Sequence, residues 1–127
     1  MTCFAQNSFD VLQLENDYNN SQSIIYSIAQ DSVGNLWMAT EEGVLKNNSS
    51  NYQKYNTYNG LVNFSKNRIT KIIVDSKQNV WIGHENGIGL YNKKTDVFES
   101  LTTTGINTIG SVKSITEDSE HRIWVGA

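Results

Sequence analysis

One stretch of the chain decides its fold: residues 69–83 read Ile-Thr-Lys-Ile-Ile-Val-Asp-Ser-Lys-Gln-Asn-Val-Trp-Ile-Gly. An apolar alternation leads to an Asp-Ser pair, a short polar turn, and a second alternation that contains Trp. The same pattern recurs at residues 25–39 and 112–126. Its acidic residues are 44 and 43 positions apart, and each precedes its Trp by six: Asp31, Asp75 and Asp118. A period in the forties built from short strands indicates a radial array of β-sheets, a β-propeller.

Each repeat divides into short strands, labelled a to d. Alternation with a period of two and enrichment in β-branched and aromatic residues favour strands over helices. An aromatic followed three residues later by a large apolar residue marks strand d, as in Phe98 and Leu101. The predicted strands are 25–30, 36–40, 43–46 and 52–55 in the first repeat, and 69–74, 80–83, 87–91 and 97–101 in the second.

These strands predict an all-β fold of four-stranded antiparallel blades, an incomplete propeller of about three blades. Phe9 and Leu12 share the strand d spacing, so a strand d is predicted near residues 9–14. The remaining units are a blade at 25–55, a blade at 69–101 and a half blade at 112–127. A closed propeller normally needs at least four blades, because closure protects the sheet edges. We therefore expect partners that complete the ring, either the remaining blades of a longer array or other copies of the chain.

Composition argues against a nucleic-acid partner and against disulfides. The net charge is −3 and the pI is about 5.3, with no basic cluster, so we expect no nucleic acid. Residues 1–5, Met-Thr-Cys-Phe-Ala, are interpreted as a signal-peptide remnant or a disordered tail, which leaves 6–127 as the partial propeller. Cys3 is the single cysteine and lies inside that segment. We therefore expect no disulfide or cysteine-bound metal in the propeller.

The repeated residues themselves are interpreted as structural: Asp31, Asp75, Asp118, Trp37, Trp81 and Trp124. Each Asp is expected to accept hydrogen bonds from backbone N–H groups two or three residues on, and each Trp to pack between neighbouring blades. Because the acids recur once per blade, a metal cluster is not expected, nor any cofactor. Gln78 and His121 stand where the first turn has Gly34, and these turns are expected to be strained or differently shaped. His121 is interpreted as an exposed turn residue.

The candidate ligand site lies at the b–c turns, residues 40–43 and 84–87. Chain direction places these turns on the same face as the long polar d–a connections, residues 56–68 and 102–111. Polar loops on a rigid scaffold commonly carry function, and Asn, Thr, Arg and Glu with aromatics suit hydroxyl-rich ligands. The candidate ligand-binding residues are Glu41, Glu42, Arg68, His84, Glu85 and Asn86. A solvated loop face is the alternative interpretation.

His84 beside Glu85 suggests acid–base chemistry, but no serine elbow, second carboxylate pair or metal spacing accompanies it. Both are therefore interpreted as exposed hairpin residues. No catalytic residue is assigned, and the chain is not expected to be an enzyme.

The string Ile28-Ala-Gln-Asp-Ser-Val-Gly-Asn-Leu-Trp-Met-Ala-Thr-Glu-Glu-Gly-Val44 resembles the repeat of the two-component regulator propeller family. Residues 72–88 and 114–126 resemble it as well. The resemblance implies the periplasmic sensor of a hybrid two-component system of the kind common in gut Bacteroidetes. In that family an immunoglobulin-like domain, a transmembrane helix and a histidine kinase follow the sensor, so membrane contact is expected only through the parent protein. Members typically sense glycan breakdown products. The ligand residues vary between members, so none is carried over.

The leading hypothesis is an N-terminal fragment of a periplasmic ligand-sensing propeller that responds to oligosaccharides. Two alternatives belong to other classes. One is a self-assembling or protein-interaction module, and the other is a propeller enzyme such as a lyase or hydrolase.

Overall fold

The computed structural model describes residues 23–101 and 109–127, and every regular element within them is a β-strand. The all-β prediction is therefore confirmed. The predicted segment 1–5, the strand near 9–14 and most of the 102–111 connection lie outside the described residues. The strands are β1 (Ile25–Gln30), β2 (Leu36–Thr40), β3 (Gly43–Asn47), β4 (Tyr52–Tyr55), β5 (Leu61–Val62), β6 (Ile69–Val74), β7 (Val80–His84), β8 (Gly87–Asn92), β9 (Val97–Leu101), β10 (Ser114–Glu117) and β11 (Ile123–Gly126).

The strands form three separate sheets. Blade 1 contains β1 to β4 in chain order, and blade 2 contains β6 to β9 in chain order, all antiparallel. Hairpin 3 consists of β10 and β11. Blade 2 also has a fifth strand that the sequence pattern did not predict. This strand, β5, lies within the connection between the blades and pairs in parallel with β9 at Phe98 and Glu99.

An aromatic cluster joins blade 1 to blade 2. Trp37 on β2 is only 2% exposed, and its ring lies 4.9 Å from that of Tyr91 and 5.9 Å from that of Phe98. Tyr55 on β4 completes the cluster at 5.3 Å from Phe98, edge to face. Tyr91 and Phe98 belong to strands c and d of blade 2, so a Trp on strand b packs onto the next blade. Burial of rings of this size contributes several kcal/mol each.

Trp81 and Trp124 are less buried than Trp37. Trp81 is half-buried, and Trp124 is 57% exposed. Trp37 is covered by strands c and d of blade 2, whereas hairpin 3, which follows blade 2, has only strands a and b among the described residues. The prediction that each Trp packs between neighbouring blades is therefore confirmed for Trp37. Within the described residues it does not hold for Trp124.

The turn between strands a and b is built on the Asp carboxylate. Asp75 Oδ1 accepts the backbone N–H groups of Lys77 at 2.9 Å and Asn79 at 2.8 Å. Its Oδ2 accepts the side-chain amide of Asn79 and the indole N–H of Trp81, both at 2.9 Å. The backbone donors thus lie two and four residues on, not two or three. The six-residue spacing of Asp and Trp thus places the indole N–H within hydrogen-bond distance of the carboxylate.

All three turns share this geometry despite their different sequences. Asp31 and Asp118 bind their Trp indole N–H groups at 3.0 and 2.7 Å. The third turn residue has φ of +95° at Gly34, +66° at Gln78 and +63° at His121. Of the two expected outcomes, strained or differently shaped turns, the structure shows the first. A left-handed backbone at two non-glycine residues is the strain that the sequence predicted.

Replacing Trp37 with Ala is expected to destabilise the chain by about 3–5 kcal/mol, because it empties the largest buried site between the blades. Urea unfolding followed by tryptophan fluorescence measures this change. Val33, 81% exposed in the first turn, provides the control: Val33→Ala should change stability by less than about 0.5 kcal/mol. Equal effects of the two substitutions would contradict the assigned role of Trp37.

The third turn is expected to confer acid sensitivity. Hydrogen bonds from Trp124 and Arg122 lower the pKa of Asp118 from 3.8 to about 2. A lowered pKa stabilises the fold above the ordinary value, and this stability is lost as the pH falls through the folded value. Asp118→Asn should therefore be less stable than wild type at neutral pH, with the difference shrinking as the pH falls from about 4 to about 2. Thermal unfolding over that range is the measurement; a constant difference would contradict the prediction.

Candidate functional site

The b–c turns and the described d–a connection lie together at one end of the blades. We call residues 40–43, 56–68 and 84–87 the loop face. Arg68 Nε lies 3.4 Å from a carboxylate oxygen of Glu41, which is in the b–c turn of blade 1. In blade 2, Asn86 donates to the Ser65 hydroxyl at 3.0 Å. The Asp turns join the other ends of strands a and b, so they lie at the opposite end of the blades.

A cluster of three side chains crosses the boundary between the blades on this face. Tyr26 Oη donates to Glu41 Oε2 at 2.5 Å, and the same oxygen faces Arg68. The Arg68 guanidinium carbon lies 5.1 Å from the centre of the Tyr26 ring, in cation–π geometry. Tyr26 and Glu41 belong to blade 1, whereas Arg68 immediately precedes β6 of blade 2. We call these residues the cross-blade cluster.

The phenol of the cross-blade cluster is held in its protonated form. The hydrogen bond to Glu41 and then partial burial raise the pKa of Tyr26 above its ordinary 10.0, and the nearby Arg68 opposes this only in part. Glu41 and Arg68 are both exposed, so a phenol ring, a carboxylate and a guanidinium all reach solvent within one small area. This combination offers hydrogen-bond donors and acceptors beside an aromatic ring.

Sequence reasoning did not select Tyr26. The pairing of β1 with β2 is irregular at this position, between Ile25 and Ser27, and the pairing of β6 with β7 is irregular at the equivalent position, between Ile69 and Lys71. The equivalent positions in the other repeats hold Thr70 and Lys113, unlike the invariant Asp and Trp. Divergence at this position was only a weak clue, because several other positions of the repeat also differ.

A second group of polar side chains binds the b–c turn of blade 2 to the connection that precedes this blade. Glu85 forms an ion pair with Lys66 at 3.0 Å, while Asn86 binds Ser65. Glu42 is separate from both groups, since its carboxylate pairs with Lys54 on β4 at 2.8 Å. Of the six predicted ligand residues, the structure thus brings together Glu41 with Arg68, and Glu85 with Asn86.

The interpretation of His84 as an exposed hairpin residue is wrong. β7 extends through His84, and alternation along the strand turns its side chain inward, leaving it 5% exposed. Its Nδ1 accepts the N–H of Asn86 at 3.3 Å, and its Nε2 lies 3.2 Å from Ser100 Oγ. The ring of Phe64 packs 4.7 Å away. Burial lowers the pKa of His84, with the Ile88 backbone and Glu85 opposing the shift.

The pairing of His84 with Ser100 differs from that of a catalytic serine. Because Nδ1 accepts a hydrogen bond from the backbone, the proton of the neutral ring is on Nε2, which donates to Ser100. A general base needs the opposite arrangement, with Nε2 free to take the hydroxyl proton and Nδ1–H held by a carboxylate. Buried as it is, this pair also has little access to a substrate.

Residues 23–101 and 109–127 contain neither a cluster typical of a metal site nor a membrane-spanning helix. No group of three His, Cys, Asp or Glu side chains is placed to hold a metal ion there. No helix in this part of the chain is long and apolar enough to cross a membrane.

Four-stranded antiparallel sheets with repeated Asp–Trp turns are blades of a β-propeller. Residues 19–42 match the family described as two component regulator propeller. Residues 19–42 carry this family's repeat, and the resemblance drawn from the sequence is confirmed. No curated protein sequence matches the chain.

Solved structures support the same class. The extracellular domains of two putative hybrid two component systems from B. thetaiotaomicron, BT3049 and BT4673, match at 25% and 23% identity with TM-scores of 0.66 and 0.67. The matches cover 83% and 84% of this chain but only 16% of each of those chains. Virginiamycin B lyase from Staphylococcus aureus matches at 20% identity and a TM-score of 0.66, over 84% of this chain and 35% of the lyase. The lyase likeness concerns the fold alone.

Proposed function

We propose that this chain forms part of the periplasmic ligand-sensing propeller of a hybrid two-component signalling protein, and that its loop face binds an oligosaccharide. The family match and the similar extracellular sensor domains support the class and a location outside the cytoplasm. The parent protein would supply the membrane anchor and the kinase. The observation that carries the ligand proposal is the cross-blade cluster, where Tyr26, Glu41 and Arg68 reach solvent together.

The chemistry of the cross-blade cluster suits a sugar. Carboxylate and guanidinium groups hydrogen-bond vicinal hydroxyls at fixed geometry, and an aromatic ring packs against the apolar face of a pyranose. Because the phenol stays protonated and bound to Glu41, these groups are already oriented before a ligand arrives.

The position of the cluster also offers a route for signalling. A ligand that contacts both Tyr26 and Arg68 bridges two separate sheets. It would therefore favour one relative position of blade 1 and blade 2 over others, and a ligand shifts an equilibrium only by such differential contacts.

Calorimetric titration of the complete extracellular region with a panel of glycan oligosaccharides tests this function. Arg68→Ala and Tyr26→Phe are expected to weaken binding at least about tenfold, since each removes a polar contact of the cross-blade cluster. Lys54→Ala is the matched control, because Lys54 binds only Glu42 among the contacts described and lies outside the cluster. The absence of saturable sugar binding would refute the ligand proposal, and equal losses in all three variants would refute its location.

A second candidate function, association through open blade faces, rests on a different observation. Ile28 on β1 is 57% exposed, whereas the equivalent Ile72 and Ile115 are only 2% and 6% exposed. In blade 2 this position packs against the preceding blade, and Ser27 hydrogen-bonds the backbone of Ile72 there. The Trp124 side of hairpin 3 is also open. One copy could therefore pack Ile28 against Trp124 of another copy. This contact would resemble the one in which the Ile72 side of blade 2 packs against blade 1.

Sedimentation equilibrium of the isolated chain tests this association. Ile28→Lys is expected to shift the population toward monomer, because it places a charge in an apolar contact. Val33→Lys changes an even more exposed apolar residue in a turn and should leave the assembly state unaltered. A monomer at all concentrations in the unmodified chain would rule out this second function.

A further inference from the structure

His84 holds together parts of the protein that are distant in sequence. Its ring contacts Phe64 from the connection between the blades, Ser100 from β9, and the N–H of Asn86 in its own turn. Its backbone carbonyl accepts the N–H of Val112 at 3.0 Å, at the start of the third repeat. None of these contacts is required by the proposed ligand site.

The first repeat shows what this position requires structurally. Thr40 is the equivalent of His84 and is also buried. Its hydroxyl accepts the N–H of Glu42 at 3.1 Å, as His84 Nδ1 accepts that of Asn86. It also donates to the carbonyl of Gly43 at 2.9 Å. A residue without a titratable group therefore caps the same turn, and blade 2 has an ionisable one in its place.

Protonation of His84 would break this cap. The acceptor at Nδ1 would become an N–H donor that points at the N–H of Asn86, and two donors repel. The positive ring would also be buried against Phe64 and beside Ile69 of β6, both apolar and buried.

Charged groups around the ring offset only part of the free-energy cost of protonating His84. Glu85 in the same turn attracts an imidazolium, but its carboxylate is already paired with Lys66 from the connection. β9 offers the neutral hydroxyl of Ser100, and β8 the backbone of Ile88. The closed arrangement therefore favours the neutral ring. Its stability is present above the ordinary pKa of histidine and is lost as the pH falls through the lowered value.

We propose that His84 is a proton-sensitive latch: the neutral ring holds residues 56–68 against blade 2, and protonation releases them. This segment contains Arg68 and Lys66, so release would also rearrange the loop face. The latch is a property of the chain itself and does not depend on whether the proposed oligosaccharide binds.

The amide of Phe98 reports on the latch directly. It donates to the carbonyl of Gly60 at 2.7 Å, which ties the connection to β9. Hydrogen exchange measured by NMR on the full chain between about pH 7 and pH 5, corrected for the intrinsic rate, should show at least a tenfold loss of protection at Phe98. The imidazole signals of the two histidines are followed in the same samples.

Two variants separate the latch from general acid effects. His84→Thr restores the cap of the first repeat and should abolish the pH-dependent loss of protection. His121→Asn removes the other histidine at a position with φ of +63°, which Asn tolerates, and should leave the loss unchanged.

Three results would overturn the proposal. They are an unchanged loss in His84→Thr, titration of His84 with no loss at Phe98, and no titration of His84 in this range. If His84→Thr does not fold, the wild-type chain still tests the proposal. The pH midpoint of the His84 imidazole titration and that of the loss of protection at Phe98 must then coincide, and different midpoints would overturn it.

Discussion

The hydrogen bond between each Asp carboxylate and the indole N–H six residues later is the interaction on which the structure depends. In the turn of blade 2, one oxygen of Asp75 closes the backbone turn and the other fixes Trp81. The turn between strands a and b is thereby coupled to the orientation of the ring on strand b. In blade 1 the ring held in this way, Trp37, lies at the centre of the contact between the blades. A single polar contact thus links local turn formation to packing between sheets.

Changes of sequence between the repeats have different structural effects at the two ends of the blades. At the Asp-turn end, even the chemistry of the third turn residue changes from Gly34 to Gln78 without altering the backbone conformation. At the loop face, the capping residue changes from Thr40 to His84, and the polar contacts differ between the repeats. Variation is tolerated there because the sheets are already positioned by the aromatic cluster. This is the end at which we place ligand binding and the proton-sensitive latch.

The strands were predictable because period-two alternation and a repeat of 44 and 43 residues both reflect backbone geometry. β5 was missed because two residues, Leu61 and Val62, are too few to show alternation. His84 was misjudged for a related reason: a polar residue next to Glu85 suggests a solvated turn, yet alternation directs it inward. Tyr26 was overlooked because Glu41 reaches it through the pairing of β1 with β2, and Arg68 reaches it only through the packing of two blades. Contacts between repeats are not encoded in the pattern of any one repeat.

The central claim is that a sugar binds across two blades on the loop face. A crystal structure of the complete extracellular region, grown with an oligosaccharide that it binds in solution, tests this claim most directly. We predict electron density for the sugar in contact with both Tyr26 of blade 1 and Arg68 of blade 2. Density for the sugar at the Asp-turn end, or at a site that contacts neither residue, would contradict it.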